Sequence, residues 1–127
     1  MFRTLMAGAI GGFLSVAIGA FAAHGLRNVL DLQALGWIET GVRYQFWHSL
    51  ASLAVAALMA RRPARMLSLA AGAFVIGMVL FSGSLYAMAV SGWHGFAWIT
   101  PLGGAGFLAG WVFLGVYAWQ LRRSDGL

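Results

Sequence analysis

His48 is the side chain with the widest chemical scope in this sequence, because it is titratable and stands within a largely apolar segment. A histidine in such a position can act as a general base, a metal or haem ligand, or a proton relay. Nucleophilic catalysis would need a carboxylate beside it, but the nearest acid in sequence, Glu39, is nine residues away on another helical face. A haem held by His24 and His48 would need both at one depth, and their expected depths differ by about 10 Å at helical rise.

Metal and thiol chemistry are also poorly supported. One deep histidine falls short of the three or four protein ligands that a zinc site needs. The sequence contains no cysteine, which excludes a disulfide framework, a thiolate nucleophile and a cysteine-ligated metal. We therefore expect no enzymatic activity, no catalytic residue, no metal and no cofactor.

Polar residues around His48 are spaced to form one buried cluster. At about 100° per residue, one stripe of a helix collects Gly41, Gln45, His48, Ser49, Ser52 and Ala56. Such a stripe should face other helices, because unpaired polar groups in hydrocarbon are costly. With polar residues of the other helices at a similar depth, the predicted cluster comprises His24, Gln45, His48, Ser49, Ser82, Ser84, Tyr86 and Thr100. It is either a ligand or proton site or a structural network, since Ser, Gln and His commonly join membrane helices.

Four apolar segments position these residues. Of the 127 residues, 61% are hydrophobic and 9% charged, and the mean hydropathy is +0.84, whereas soluble domains carry about 25% charged residues. The sequence predicts an all-α fold, a four-transmembrane-helix bundle forming a single integral membrane domain over residues 1–127, with helices at about 4–24, 37–60, 66–90 and 101–121. We expect Thr100 to cap the fourth helix and Pro101 to occupy its first helical position.

The arginines predict the orientation of the four helices. Six of them fall on one side of the membrane, namely Arg3, Arg61, Arg62, Arg65, Arg122 and Arg123, and only Arg27 and Arg43 on the other. By the positive-inside rule this indicates a multi-pass protein of the bacterial inner membrane with both termini in the cytoplasm, N-in/C-in. The arginines flank apolar runs and form no stripe, so we expect no nucleic-acid partner despite a pI near 11.2. A cleaved signal ending near Ala22 is the alternative, but its apolar run would be unusually long.

Small residues and one ion pair complete the predicted packing. Glycine-rich helix interfaces are expected, because small residues let helix backbones approach closely in lipid. The glycines assigned to helix packing are Gly8, Gly12, Gly19, Gly77, Gly106 and Gly110. These faces could close the monomer, join two copies in a homo-oligomer, or contact a larger membrane complex. Glu39 and Arg43 are spaced as an i,i+4 ion pair at the outer interface.

Several stretches together resemble a known family. They are Gly19-Ala20-Phe21-Ala22-Ala23-His24, Gly36-Trp37-Ile38-Glu39-Thr40-Gly41-Val42-Arg43-Tyr44-Gln45 with His48, Leu80-Phe81-Ser82-Gly83-Ser84-Leu85-Tyr86, and Thr100-Pro101-Leu102-Gly103-Gly104 with Gly110-Trp111. In this order they resemble the YgdD/YwdK-type small inner-membrane proteins, a domain-of-unknown-function family with eukaryotic relatives. Ala22 departs from the glycine that the family is expected to favour. The resemblance implies four membrane helices and no particular reaction.

The sequence thus leaves two functional hypotheses. The first is a binding or accessory protein whose outward-facing polar pocket holds a lipid headgroup, a small ligand or a partner membrane complex. The alternative is a small dimeric transporter or proton-linked carrier that uses His48. Carriers of that kind normally place an acid deep in the bundle, and the first, third and fourth segments contain none, so binding is the favoured hypothesis.

Overall fold

The chain folds into helices joined by short connections, as a computed structural model of residues 1–126 describes it. The α-helices are α1 (Phe2–His24), α2 (Leu32–Arg61), α3 (Arg65–Gly77), α4 (Gly83–Ser91) and α5 (Ile99–Asp125). A π-helical turn, Met78–Ser82, joins α3 and α4 into one continuous helix, called the α3–α4 helix below. A short 3-10 turn, His94–Phe96, precedes α5. The described residues form no β-strand.

Three of these helices are long and apolar enough to cross a membrane. They are Phe2–His24, Arg65–Ser91 and His94–Asp125, the last including the 3-10 turn. α2 is 30 residues long, but its polar stripe and its Glu39–Arg43 pair lower its mean hydropathy. Length and apolarity therefore identify three candidate spans, and the polar residues of α2 are what set it apart.

The helix boundaries differ from the predicted ones mainly at the start of α2 and at both ends of α5, which ends at Asp125 and not at about residue 121. α2 begins at Leu32, because the Asp31 carboxylate accepts a hydrogen bond from the backbone N–H of Ala34 at 2.8 Å and so caps the helix. α5 begins at Ile99, before Pro101, with no side-chain cap. The Thr100 hydroxyl does not cap it as predicted, because it lies 2.6 Å from the Ser84 hydroxyl of α4 instead.

The helices pack in a chain-like order. α1 packs mainly on α2, α2 packs on the α3–α4 helix, and the α3–α4 helix packs on α5. The start of α1 and the ends of α2 and α5 lie together, since Thr4 contacts Met59 at 3.8 Å and Arg62 pairs with Asp125 at 2.9 Å. The hydrogen bond and the charge of Asp125 raise the pKa of the Arg62 guanidinium. This arginine-rich end of the bundle contains Arg3, Arg61, Arg62, Arg65, Arg122 and Arg123.

Glycines allow the closest helix contacts. A methyl group at Gly77 would collide with the Phe107 ring, and one at Gly103 would collide with the backbone of Phe81. These two glycines let α5 lie directly against the α3–α4 helix; Gly77 is one of the glycines assigned to packing from the sequence, and Gly103 is not.

On α1 the buried stripe is Thr4, Gly8, Gly11 and Ser15. A methyl group at Gly8 or Gly11 would meet Leu53 or Ser49 of α2, whereas one at Gly12 would meet no atom within 4 Å. Gly11 therefore takes the packing position predicted for Gly12. The buried stripe alternates steps of four and three residues, so after the step of four from Thr4 to Gly8 the next residue that faces α2 is three positions on.

Candidate functional site

The polar stripe of α2 is buried, as its periodicity predicts. Gln45, His48, Ser49 and Ser52 all lie in the interior. The Ser49 hydroxyl donates to the Gln45 carbonyl at 2.7 Å, and the Ser52 hydroxyl donates to the His48 carbonyl at 2.8 Å. Both serine hydroxyls thus donate to backbone carbonyls of their own helix, a common arrangement for buried hydroxyls in helices.

Gln45 joins three helices. Its side-chain nitrogen donates to the Gly11 carbonyl of α1 at 2.9 Å, and its side-chain oxygen accepts from the Tyr86 hydroxyl of α4 at 2.7 Å. The Gly11 carbonyl also accepts from Ser15 at 2.8 Å. Both ends of the Gln45 amide are therefore occupied by protein groups, and we call this set of contacts the Gln45 network.

The π-helical turn supplies a further link to α2. Ser82, its last residue, donates to the Gly41 carbonyl at 2.6 Å. The absence of a side chain at Gly41 makes room for the Tyr86 ring, which a methyl group there would strike. A π-helical turn shifts the side chains that follow it around the helix axis, and such turns occur often at functional sites.

Ser84 and Thr100 form a separate link between α4 and α5. The Ser84 hydroxyl donates to the Phe81 carbonyl at 2.9 Å, so its single proton is used, and Thr100 must be the donor in the 2.6 Å bond between the two hydroxyls. This bond closes the end of the helix pair opposite to the arginine-rich end.

His48 faces α5 and belongs to neither set of contacts. Its Nδ1 lies 2.6 Å from the Tyr44 carbonyl, and its Nε2 lies 3.1 Å from the indole nitrogen of Trp111. An indole N–H can only donate, so Nε2 accepts and the ring proton must be on Nδ1, which donates to Tyr44. The contacts therefore describe a neutral imidazole. Its ring stacks on Phe107, with ring centroids 3.6 Å apart and an interplanar angle of 11°.

Free space beside His48 forms a groove between α2 and α5. Its volume is about 780 Å³, within the usual range of small-molecule pockets. This aromatic groove is lined by Tyr44, Trp47, His48, Leu50, Phe81, Pro101, Gly104, Ala105, Phe107, Leu108 and Trp111. Trp47, Leu50 and Trp111 are each 50% exposed although they lie in the middle of their helices, so the groove opens on the flank of the bundle.

The predicted cluster is therefore divided by the structure. Gln45, Ser49, Ser82 and Tyr86 meet around the Gln45 network, and Ser84 meets Thr100. His48 lies apart from them on the α5 side. His24 is exposed at the end of α1, and its side chain makes no hydrogen bond within residues 1–126.

Every buried side-chain nitrogen or oxygen in the part of the chain that the structure describes has a hydrogen-bond partner. The polar side chains bind one another, and the open space next to them is aromatic and aliphatic. Glu39 and Arg43 form the predicted ion pair at 3.1 Å, exposed to the surroundings.

Sequence reasoning missed the partners of His48. Phe107 and Trp111 are four residues apart on α5, so both reach the same ring, but neither has a polar periodicity that would single it out. The available signal was Trp111 itself, because tryptophans of membrane proteins concentrate at the interfaces and this one stands in the middle of an apolar run.

Apolar helices that enclose a closed polar network define this molecule as a helical membrane protein. Residues 18–104 match the family described as "Protein of unknown function (DUF423)". A UPF0382 membrane protein of Haemophilus influenzae is 51% identical over 106 residues, covering 84% of this chain and 85% of that protein. The UPF0382 inner membrane protein YgdD of Escherichia coli K12 is 44% identical over 120 residues, covering 94% and 92%.

A more distant relative, the UPF0382 membrane protein YwdK of Bacillus subtilis, is 38% identical over 116 residues, covering 90% of this chain and 94% of that protein. No solved structure matches the chain. The chain belongs to the UPF0382 (DUF423) family of membrane proteins, which confirms the resemblance found in its sequence.

Proposed function

We propose that this protein crosses the inner membrane four times, with both termini in the cytoplasm, and binds a lipophilic ligand rather than catalysing a reaction. The uneven distribution of arginines supports the orientation, and the name of the Escherichia coli relative supports the inner membrane. The ligand site is the aromatic groove between α2 and α5, and the Gln45 network holds the helices around it.

The side chains of α2 support its role as the fourth span. Its buried face carries the hydrogen-bonded Gln45, His48, Ser49 and Ser52. On its exposed face, Trp47, Leu50 and Leu58 are apolar, and the charged Glu39 and Arg43 pair with each other nearer its start. An apolar outside and a satisfied polar inside are what a helix needs in hydrocarbon. A mean-hydropathy measure averages the two faces and so underrates this helix.

The observation that carries the proposed function is the aromatic groove with the Nε2 atom of His48 at its wall. Aromatic walls favour a flat ring, and Nε2 can accept one hydrogen bond from a ligand if Trp111 turns away. The ligand class that fits is a lipophilic molecule with a flat ring, an alkyl tail and one hydroxyl. It would enter from the bilayer, because the groove opens on the flank of the bundle.

Titration of the purified protein with 4-octylphenol tests this proposal. We expect saturable binding to the wild type and its loss in Gly104→Leu, whose side chain fills the groove. Gly104 tolerates a side chain, since the only atom near a methyl group there is one Phe81 ring carbon at 4.0 Å. Gly115→Leu on the same helix, also in open space, is the matched control and should bind normally. Equal binding by all three proteins would refute the groove as the site.

A proton-linked carrier is the second candidate, and one observation favours it: His48 is a titratable side chain buried within the helices. A carrier cycle through His48 would place a proton on Nε2 and so break the bond from Trp111 in every turnover. The two candidates differ in whether the protein alone passes protons across a membrane.

A further inference from the structure

A long cleft separates α1 from the α3–α4 helix. Two cavities, of about 860 and 400 Å³, share Ala7 and Val75 in their linings and so lie next to each other along this cleft. The cleft exists because α1 packs mainly on α2 and not on the α3–α4 helix. Its floor is formed by α2, with Met59 near the arginine-rich end and Gln45 farther along.

The chemistry of the cleft changes along its length. At the arginine-rich end it is lined by the exposed residues Arg3 and Ser68, and neither side chain has a hydrogen bond or ion pair within residues 1–126. Beyond them the walls are apolar, with Ile10 and Leu14 on α1 and Val79 on the π-helical turn. A cationic mouth therefore leads into a hydrocarbon-lined interior.

We propose that this cleft binds an anionic phospholipid. Its phosphate would lie at Arg3 and Ser68, where a guanidinium and a hydroxyl are free to donate hydrogen bonds. One acyl chain would run along the cleft toward Leu14, a distance of about 16 Å at helical rise. One leaflet contributes roughly 15 Å of hydrocarbon, so the cleft has the length of a single acyl chain.

Charge selects the headgroup class. Six arginines lie at this end of the bundle, and clustered basic residues beside membrane helices attract anionic lipids. A headgroup with a net negative charge is therefore favoured over a zwitterionic one. The cleft shares no lining residue with the aromatic groove. The phospholipid site therefore does not depend on the ligand proposed for that groove.

Native mass spectrometry of the full chain in a mild detergent tests the site, with dioleoyl phosphatidylglycerol and dioleoyl phosphatidylcholine as the two probes. We expect the phosphatidylglycerol adduct to predominate in the wild type. Arg3→Gln should weaken it about fivefold, the contribution of one basic residue at a membrane surface. Arg61→Gln, at the same end but outside the cleft, should weaken it clearly less than Arg3→Gln does.

Filling the cleft provides the second comparison. Gly72 lines it, and a methyl group there would meet no atom within 4 Å. Gly72→Leu should abolish the adduct, while the control Gly115→Leu should retain it. Equal adducts of both lipids, equal losses in Arg3→Gln and Arg61→Gln, or a full adduct in Gly72→Leu would each overturn the proposal.

Photocrosslinking of the wild-type protein gives a readout that does not depend on the folding of a variant. Phosphatidylglycerol with a diazirine in its acyl chain should label the cleft walls, at Ile10, Val75 or Val79. Labelling confined to α5 would overturn the site. Crosslinking between two copies at the same residues, with no lipid labelling, would also overturn the site, because the cleft would then be an interface between copies.

Discussion

The indole N–H of Trp111 donates a hydrogen bond to Nε2 of His48 at 3.1 Å, so a residue of α5 completes the hydrogen bonding of the one histidine that α2 buries. The Tyr44 carbonyl occupies the other ring nitrogen. Together these bonds fix a neutral imidazole at the wall of the aromatic groove. The bond from Trp111 also joins α5 to α2, two helices with few backbone contacts.

Removal of the Trp111 N–H donor should destabilise the protein even when an aromatic side chain is kept in the groove wall. Trp111→Phe keeps a ring but leaves Nε2 of His48 unpaired, and interhelical bonds of this kind contribute about 0.6–2 kcal/mol. We expect a loss of that size in the free energy of unfolding, measured by denaturation in detergent. Trp47→Phe is the control, because Trp47 lines the same groove without a hydrogen bond from its indole within residues 1–126. Equal losses in the two variants would contradict the role given to the bond.

Gln45 should be among the least replaceable polar residues. Gln45→Leu removes the bridge between α1 and α4 and leaves the Tyr86 hydroxyl proton without its acceptor, while the Gly11 carbonyl keeps the hydrogen bond from Ser15. An unsatisfied buried group costs about 1–3 kcal/mol, and we expect a loss in that range in the free energy of unfolding. The matched control is Gln33→Leu, on the same helix but exposed.

The polar stripe of α2 was predictable, and its division was not. Helical periodicity places Gln45, His48 and Ser49 on neighbouring positions, which is enough to predict burial. It does not say that the imidazole turns toward α5 while the Gln45 amide turns toward α1, because that depends on which helix lies on each side. The π-helical turn was equally hidden, since no residue type specifies it. The sequence also predicts a polar pocket. In the structure the buried polar side chains hydrogen-bond to protein groups, and the open groove is lined mainly by aromatic and aliphatic side chains.

Adjacent glycines on α5 should respond very differently to the same substitution. Gly103→Ala places a methyl group against the backbone of Phe81, which cannot move aside as a flexible side chain could. Overpacking of this kind costs about 1–3 kcal/mol, so we expect a lower unfolding temperature. Gly104→Ala adds the same atoms, touches only one Phe81 ring carbon at 4.0 Å, and should unfold at the wild-type temperature or above it. A similar decrease in both variants would show that α5 does not lie as closely on the α3–α4 helix as described.

The proposed four-span topology can be read directly because the natural chain has no cysteine. Asn28→Cys and Ser91→Cys follow α1 and end α4, and both positions are exposed. A membrane-impermeant maleimide should label them in cells with a permeable outer membrane and an intact inner one. Ser124→Cys, near the end of α5, should react only after the inner membrane is opened. Labelling of Ser124→Cys in intact cells, or protection of Ser91→Cys, would refute the arrangement with both termini inside.

Proton flux decides between binding and transport. The neutral imidazole of His48 accepts from Trp111, and no carboxylate within the described residues has a hydrogen bond to it, so it lacks the acidic partner that proton carriers normally have. We therefore expect liposomes containing the purified protein to hold an imposed pH gradient as long as empty liposomes do, measured with an entrapped pH-sensitive dye. His48→Ala and Trp111→Phe proteoliposomes should behave identically to the wild type. A leak that is present in the wild type, disappears in His48→Ala and changes in Trp111→Phe would establish the carrier in place of the binding protein, because no role in ligand retention or helix packing moves protons through that ring.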